Sequence, residues 1–233
     1  MTPNLSRARA DGDVLTGRRP YFLTSIVRRL LATPIRLSLL GFKKSAHGAV
    51  PFSMYEVLCR DVPRFIDGTP SALAISGSGT LTKLVAPGAV VTAADYPHYN
   101  ILSLPFPDNS FDLVVSDQVL EHVEGDPFLA VEECRRVLKP GGIVIHTAPL
   151  LIQIHGYPSD FWRFTPDGLA LLCQRHTEVL LSGGWGNRYL WLLNWLGVLF
   201  EQRVPLASWH PYHRIAVLNE TNFPVTCWVV ARK

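Results

Sequence analysis

The sequence predicts an α/β fold on a mostly parallel sheet, and three stretches carry that prediction. Phe111–Val115 is a short apolar run, Leu120–Val137 follows with helix-type spacing, and Ile143–Ile145 opens another apolar run. Strand, crossover helix and strand make a parallel pair. Upstream, Ser71–Ile75 is an apolar run closed by Ser76-Gly77-Ser78-Gly79-Thr80. Glycines at such a turn let a ligand approach the backbone, and the following helix offers free N–H groups. Val90–Ala94 is a further strand ending in Asp95. An acid about 20 positions beyond the first strand is where Rossmann-like folds hold ribose hydroxyls. The plain alternative is a turn carboxylate at a strand end.

The remaining elements follow in order. Residues 1–20 read as disordered. Tyr21–Leu40 is apolar with Arg28, Arg29 and Arg36 interleaved, and Pro34 divides it into two short helices. This N-terminal extension either packs on the sheet or covers a site as a lid. Pro51–Ile66 reads as a helix with Tyr55, Leu58, Cys59 and Val62 on its apolar side. In a GxGxxG fingerprint the third glycine would fall at Thr82, which weakens a dinucleotide reading. Only Tyr96–Tyr99 separate Asp95 from Asn100. That is too little for a helix and a full strand, so the sheet should be shortened around its second and third strands. Pro107–Ser110 is a turn cluster into the next strand, and Lys139-Pro140-Gly141-Gly142 stops the crossover helix. Thr165 caps a helix with Pro166 at its first position. Glu178–Gly183 is a strand, Asn187–Arg203 a largely apolar helix, and Pro224–Ala231 the closing strand.

Composition narrows the class. At 48% hydrophobic and 18% charged, the 233 residues describe a foldable globular chain of one large domain or two small ones. Cys59, Cys134, Cys173 and Cys227 are scattered without metal-type spacing, so reduced thiols and a cytoplasmic location are expected. The longest apolar run, Tyr189–Phe200, carries Asn194 and falls short of the ~20 residues a bilayer needs. Charge is uneven: residues 1–50 hold nine of the 22 Lys and Arg against only Asp11 and Asp13, a balance of +7, which leaves −4 for the rest. A solvated arm or lid explains this, as does a peripheral contact with an anionic membrane surface or a transit peptide.

Three linked motifs add a resemblance. LPFPDNSFD (104–112), VLEHV (119–123) and RVLKPGG (136–142) stand in this order. Over residues 70–175 the chain resembles the class I S-adenosylmethionine-dependent methyltransferases of the type 11 family. The resemblance implies a Rossmann-like class I methyltransferase fold, its sheet mostly parallel with an antiparallel last strand. It implies a basic N-terminal extension over 1–50 and a methyltransferase domain over 51–233. It implies S-adenosylmethionine as cofactor, with Ser76, Gly77 and Gly79 at the turn and Asp95 on the ribose. Asn100 stands where the family has its adenine-contacting acid, Ile101 and Leu102 flank the base, and Ser116 ends the fourth strand. Two positions depart from the pattern. Ile75 replaces the acid that ends the first strand and helps hold the cofactor's amino group, and Leu81 replaces the third motif glycine.

Methyl transfer needs in-line positioning and, for a hydroxyl acceptor, a base or a metal. His146, at an apolar strand end, is a candidate base or a hydrogen-bonded core histidine; His155, in the following loop, is a second candidate. His47, His98, His176, His210 and His213 read as surface residues. Some methyltransferases similar to this family bind Mg²⁺ through an E-x-x-E-H turn. Here Gln118 replaces the first Glu, Glu121 and His122 keep the rest, and Asp160 occupies the loop position. In metal-free relatives the same LEHV is structural, so both readings stand. HGYPSDFWRFTPDGL (155–169) is similar to sequences of polysaccharide-associated O-methyltransferases, including methylmannose-type enzymes of actinobacteria. The expected activity is O-methylation of a sugar or oligosaccharide hydroxyl. The alternatives are a phenol, quinone or natural-product methyltransferase, a non-catalytic scaffold, or another nucleotide-binding enzyme. The expected partner is a small-molecule or oligosaccharide acceptor rather than nucleic acid, and a homodimer is compatible with the sequence.

Overall fold

The computed structural model describes residues 41–156, 159–195 and 203–233, with Leu30 and Thr33. The chain forms two compact units, residues 1–40 and 41–233. The helices expected over Tyr21–Leu40 lie outside the described residues except at Leu30 and Thr33, both helical. The second unit begins at Gly41, with a strand ahead of the first long helix.

The second unit contains β1 (Lys44–Gly48), α1 (Ala49–Asp61), β2 (Ser71–Ile75), α2 (Gly79–Val85), β3 (Val90–Ala94) and β4 (Phe111–Asp117). It continues with α3 (Pro127–Val137), β5 (Leu138–Pro149), α4 (Pro166–Leu172), β6 (Glu178–Trp185) and α5 (Arg188–Trp195). β7 (Arg203–Pro205), α6 (Pro211–Val217) and β8 (Thr226–Arg232) close it. Six strands make the main sheet in the order β3-β2-β4-β5-β8-β6, while β1 and β7 pair antiparallel apart from it. β3, β2, β4 and β5 run parallel, and β8 is antiparallel to both β5 and β6. Among the described residues no strand lies beyond β3, so the sheet is short at that edge, as the Asp95–Asn100 spacing predicts.

Helices cover both faces, which is why the strands are apolar runs rather than alternating patterns. Leu73, Val114, Val144 and Val229 pack against Ala130, Val131, Leu169 and Leu172 from α3 and α4. On the opposite face Leu113, Val115, Ile145 and Val230 pack against Met54, Leu58, Leu81 and Val85 from α1 and α2. The helix starts are chemically marked. Asp126 caps α3 by accepting from the Phe128 N–H, and Thr165 caps α4 by accepting from the Gly168 N–H at 3.0 Å, with Pro166 first in the helix.

The crossover helix is shorter than its spacing predicts. Leu120–His122 forms one 3₁₀ turn, and α3 begins only at Pro127, because the capped Asp126-Pro127 pair starts a new helix. Leu129, expected on the apolar face, is exposed. β5 begins before the glycines, and the register against β4 slips between Leu138 and Ile143.

The residues that carry the motif resemblance brace the amino ends of the strands. Asp112 accepts from the Ser71 hydroxyl (2.6 Å), the Ser71 N–H (2.9 Å) and the Lys139 ammonium (2.9 Å to each oxygen). Burial alone would raise the Asp112 carboxyl, but the Ser71 and Lys139 hydrogen bonds outweigh it and hold it at about 2. Arg136 donates to the Leu104 and Phe106 carbonyls and to Glu133 and Asp108, folding the LPFPD loop onto α3.

Backbone approach is tightest at Gly186, after β6. A Cβ there would lie 2.3 Å from the Phe223 carbonyl oxygen and 2.4 Å from the Val225 nitrogen. Gly186→Ala must push two backbones apart, and a loss of about 1–3 kcal/mol is expected. Denaturant titration checks it, and a native midpoint would show that the two segments separate freely.

Candidate active site

The carboxyl ends of β2, β3, β4 and β5 meet at one edge of the sheet, where open α/β folds bind ligands. Ser78 staples that edge: its hydroxyl donates to the Ile75 carbonyl and accepts from the Asp117 N–H at 2.8 Å. Ser76 and Gly77 both have positive φ (47° and 85°), and the Gly77 N–H donates to Asp95 Oδ1 at 2.8 Å. Ser76 Oγ accepts weakly from the Tyr96 N–H at 3.4 Å. A Cβ on Gly77 or Gly79 would meet nothing within 4 Å. An open hollow of about 300 Å³ reaches Gly77, Gly79, Thr80, Lys83 and the exposed Asp95. Asn100 is exposed, with Oδ1 accepting from the Leu102 N–H at 2.9 Å, while Ile101 is buried in the core. The structure thus gathers the turn residues and Asp95, with Asn100 farther along and outside the hollow.

Two expected site residues lie elsewhere. Ser116 and His146 are fully buried, neighbours across β4 and β5, with Ser116 Oγ 2.6 Å from His146 Nδ1. They sit on the face covered by α3 and α4, because side chains alternate along a strand and Val114, Val144 and Ala148 share that face. Ser116 therefore presents nothing to the cofactor edge, and His146 has no surface to offer an acceptor as a base. Burial, with a smaller contribution from His176, pushes His146 down to about 3. The pattern also misleads at His176 and His210, both buried. His210 accepts from the Tyr212 N–H as the cap of α6. His98 is exposed and His213 half-buried.

The buried His146 gives a pH prediction with a definite sign. Folded, it stays neutral until about pH 3. Unfolded, it takes a proton near ~6.5. Its effect on stability is absent above ~6.5 and becomes increasingly destabilising on acidification toward about 3, by at most ~1.4 kcal/mol per pH unit. His146→Gln should flatten that decline in urea titrations at pH 7.5 and 5.0. An unchanged slope would mean that His146 is protonated in the native protein.

A network that sequence reading passes over ties the ends of β4 and β5 together. Asp117 Oδ2 accepts from the Tyr55 hydroxyl of α1, and Oδ1 accepts from the Thr147 hydroxyl at 2.5 Å. Thr147 in turn accepts from the Gln118 backbone N–H (3.1 Å) and side-chain amide (3.0 Å). Burial first, then the Asp117 carboxylate, raise the Tyr55 phenol well above its ordinary value, so it stays a donor. Gln118 has a φ of 58°, uncommon for a residue other than glycine. The sequence signal was a cluster of polar residues at two strand ends, with Tyr55 hidden because α1 lies far upstream.

Beyond Gln118 the 3₁₀ turn brings Glu121 and His122 against the 155–164 loop. Phe161 and Trp162 N–H groups donate to the Glu121 carbonyl (2.7 and 3.2 Å), and the Trp162 indole donates to the Val123 carbonyl at 2.9 Å. Glu121 is fully buried, and burial, then the neighbouring Asp160, push its carboxyl up to about 8. Glu121, His122 and His155 place one ligand atom each within 4.8 Å of one another. Asp160, expected as the third ligand, belongs to an outer layer. Arg163 grips both its oxygens, and its Oδ2 accepts from the His155 N–H at 3.0 Å. Arg163 leads in holding Asp160 down at about 2. The oxygen-rich set that Mg²⁺ prefers is therefore not what these residues assemble. Glu121 and His122 also leave the expected helix face with Gln118, since the backbone there is a 3₁₀ turn.

The family model described as "Methyltransferase domain" matches residues 72–146, from β2 to the end of the central unit. An uncharacterized methyltransferase of Schizosaccharomyces pombe is 45% identical over 84 residues, 36% of this chain and 28% of that protein. A demethylmenaquinone methyltransferase of Staphylococcus epidermidis is 44% identical over 64 residues, 25% of this chain and 26% of that protein. The protein YafE of Escherichia coli is 34% identical over 114 residues, 46% of this chain and 50% of that protein. The chain thus spans between about a quarter and a half of the length of these relatives. Among solved structures, the [4+2]-cyclase SpnF superimposes with a TM-score of 0.53 at 18% identity, covering 91% of this chain and 94% of its own. A chain from a complex containing the Haloferax volcanii Trm112 methyltransferase activator gives 0.53 at 16% identity, over 78% of this chain and 90% of its own. The fold these structures share with the chain is a Rossmann-like α/β fold, mostly parallel with an antiparallel last strand. Among the described residues no helix is long and apolar enough to cross a membrane.

Proposed function

We propose that this chain is an S-adenosylmethionine-dependent methyltransferase acting on a hydroxyl of a sugar or oligosaccharide. One observation carries the cofactor half: the positive-φ Gly77 turn at the end of β2, open where a side chain would stand and hydrogen-bonded to Asp95. A ribose and its attached chain need that approach and that acid. Fold alone would not select the reaction, since a cyclase shares it. The matched methyltransferase segment adds the selection. Asp117 follows Ser116, the β4 residue opposite Ile75. Its carboxylate takes the place of the acid missing at Ile75 toward the cofactor's amino group.

In the reaction, the methyl C–S bond of the sulfonium breaks as a C–O bond forms in line, and S-adenosylhomocysteine leaves. The acceptor proton must go to a base. With His146 buried, His155 fills that role, its Nδ1 3.2 Å from Asp160 Oδ2 and its side chain 40% exposed. The acceptor half rests on Phe161 and Trp162, large exposed aromatics a few residues after His155, against which a sugar ring can pack. Their loop carries the polysaccharide-type sequence.

The test has two stages. Calorimetry with S-adenosylhomocysteine should give one equivalent bound, and no heat at any temperature tried would overturn the cofactor reading. Transfer of a labelled methyl from S-adenosylmethionine is then measured on oligosaccharides, phenols and quinones. Label confined to phenols or quinones would replace the sugar reading.

A further inference from the structure

We infer that Glu121, His122 and His155 form a binding site for one first-row transition-metal ion of the Zn²⁺, Mn²⁺ or Co²⁺ type. Binding itself is independent of the methyltransferase reading; the role given to the ion below rests on it. The ligand atoms lie within 4.8 Å of one another. Atoms about 2.1 Å from a shared ion stand up to about 4.2 Å apart, so a small closure completes the site.

The first support is Glu121. It is fully buried, and neither carboxylate oxygen has a hydrogen-bond partner. Buried acceptors in that state are rare in native proteins, and a bound ion is one standard reason for them. Its Oε1 faces His122 Nε2 at 3.8 Å.

The second support is how the His122 imidazole is aimed. His122 Nδ1 lies 2.5 Å from the Ser159 carbonyl oxygen. A carbonyl only accepts, so the proton sits on Nδ1 and the Nε2 lone pair turns toward Glu121. His155 Nδ1 lies 3.2 Å from Asp160 Oδ2, within ion-pair distance but without a hydrogen bond between them. Asp160 is itself fixed by Arg163, whose Nη2 donates at 2.6 Å, and by the His155 N–H. Metal-bound histidines nearly always have such an outer carbonyl or carboxylate at the second nitrogen. The rings stand edge to face, 4.9 Å between centroids.

Two imidazoles and one carboxylate suit a transition ion rather than Mg²⁺ or Ca²⁺, which prefer oxygen. Three protein ligands leave positions open. With the ion bound, His155 would serve as a ligand and not as the base; the ion would take an acceptor hydroxyl at an open position and lower its pKa, and the proton would pass to solvent water as the C–O bond forms.

The test uses the full untagged chain after chelator treatment. Titration with Co²⁺ is followed by visible absorption, and bound Zn²⁺ and Mn²⁺ by elemental analysis after dialysis. One equivalent of Co²⁺ with a new d–d spectrum is expected, and Mg²⁺ in excess should not displace it. Glu121→Gln, His122→Gln and His155→Gln should each weaken Co²⁺ by at least tenfold. Asp160→Asn should weaken it about 10–100-fold. If a variant does not fold, the wild-type stoichiometry and the rise of Tm with Co²⁺ still decide. No stoichiometric binding of Co²⁺, Zn²⁺ or Mn²⁺ overturns the site, as does equal affinity in wild type and all folded ligand variants. S-adenosylhomocysteine calorimetry on the same samples separates the two readings. Metal bound without it leaves the site standing and removes methyl transfer.

Discussion

Gly77→Val is expected to lower affinity for S-adenosylhomocysteine by about a hundredfold or more, which is ~2.7 kcal/mol or more at about 1.4 kcal/mol per tenfold. Two effects combine. The backbone at this residue has φ of 85°, a conformation that a β-branched residue resists. The isopropyl group would also stand in the space left open beside the turn. Asp95→Ala should act more mildly, by about 1.5–3 kcal/mol, the range for hydrogen bonds to a charged group. It also removes the acceptor of the Gly77 N–H. Circular dichroism should be native for both. Native affinity in both variants would place the cofactor away from this turn.

Asp117→Ala should give the largest loss of stability among the site substitutions, about 2–4 kcal/mol, since hydrogen bonds to charged groups contribute about 1.5–3 each. It removes the acceptor shared by Tyr55 and Thr147 and so uncouples α1 from the ends of β4 and β5. In a domain of this size the Tm should fall by roughly 4–16 °C. Asp117→Asn keeps one carbonyl acceptor and should lose about half as much. Thermal unfolding of both variants checks the order. An alanine variant as stable as wild type would make the network incidental to the fold.

Legibility in the sequence differed by end of the sheet. Asp112, Arg136 and Lys139 belong to motifs at the amino ends, where Lys139 binds Asp112 and Arg136 binds Asp108. That made the fold readable as a mostly parallel sheet with an antiparallel last strand, including the short edge after Asp95. The carboxyl edge depends on partners far apart in the chain, such as Tyr55 with Asp117, and no local pattern announces them. His146 misled because a strand-end position does not reveal which face a side chain takes. Glu121 and His122 were found as a pair, but the pattern chose Asp160 where the loop instead delivers His155. Asp160 is adjacent in sequence to the group, yet Arg163, three residues on, claims it.

The placement of β8 sets an order of assembly. Among the described residues β6 pairs in the main sheet only with β8, and β5 has β8 as its outer neighbour. Residues 178–185 thus remain a solitary ribbon until residues 226–232 slot between them and β5. The β2–β4–β5 half can zip up from nearby segments, whereas the other half waits on contacts such as Ile143 with Arg232. Contacts that distant in sequence form slowly. During the wait, the apolar β5 flank lies bare, and a chaperone or a second unfinished chain would find its purchase there.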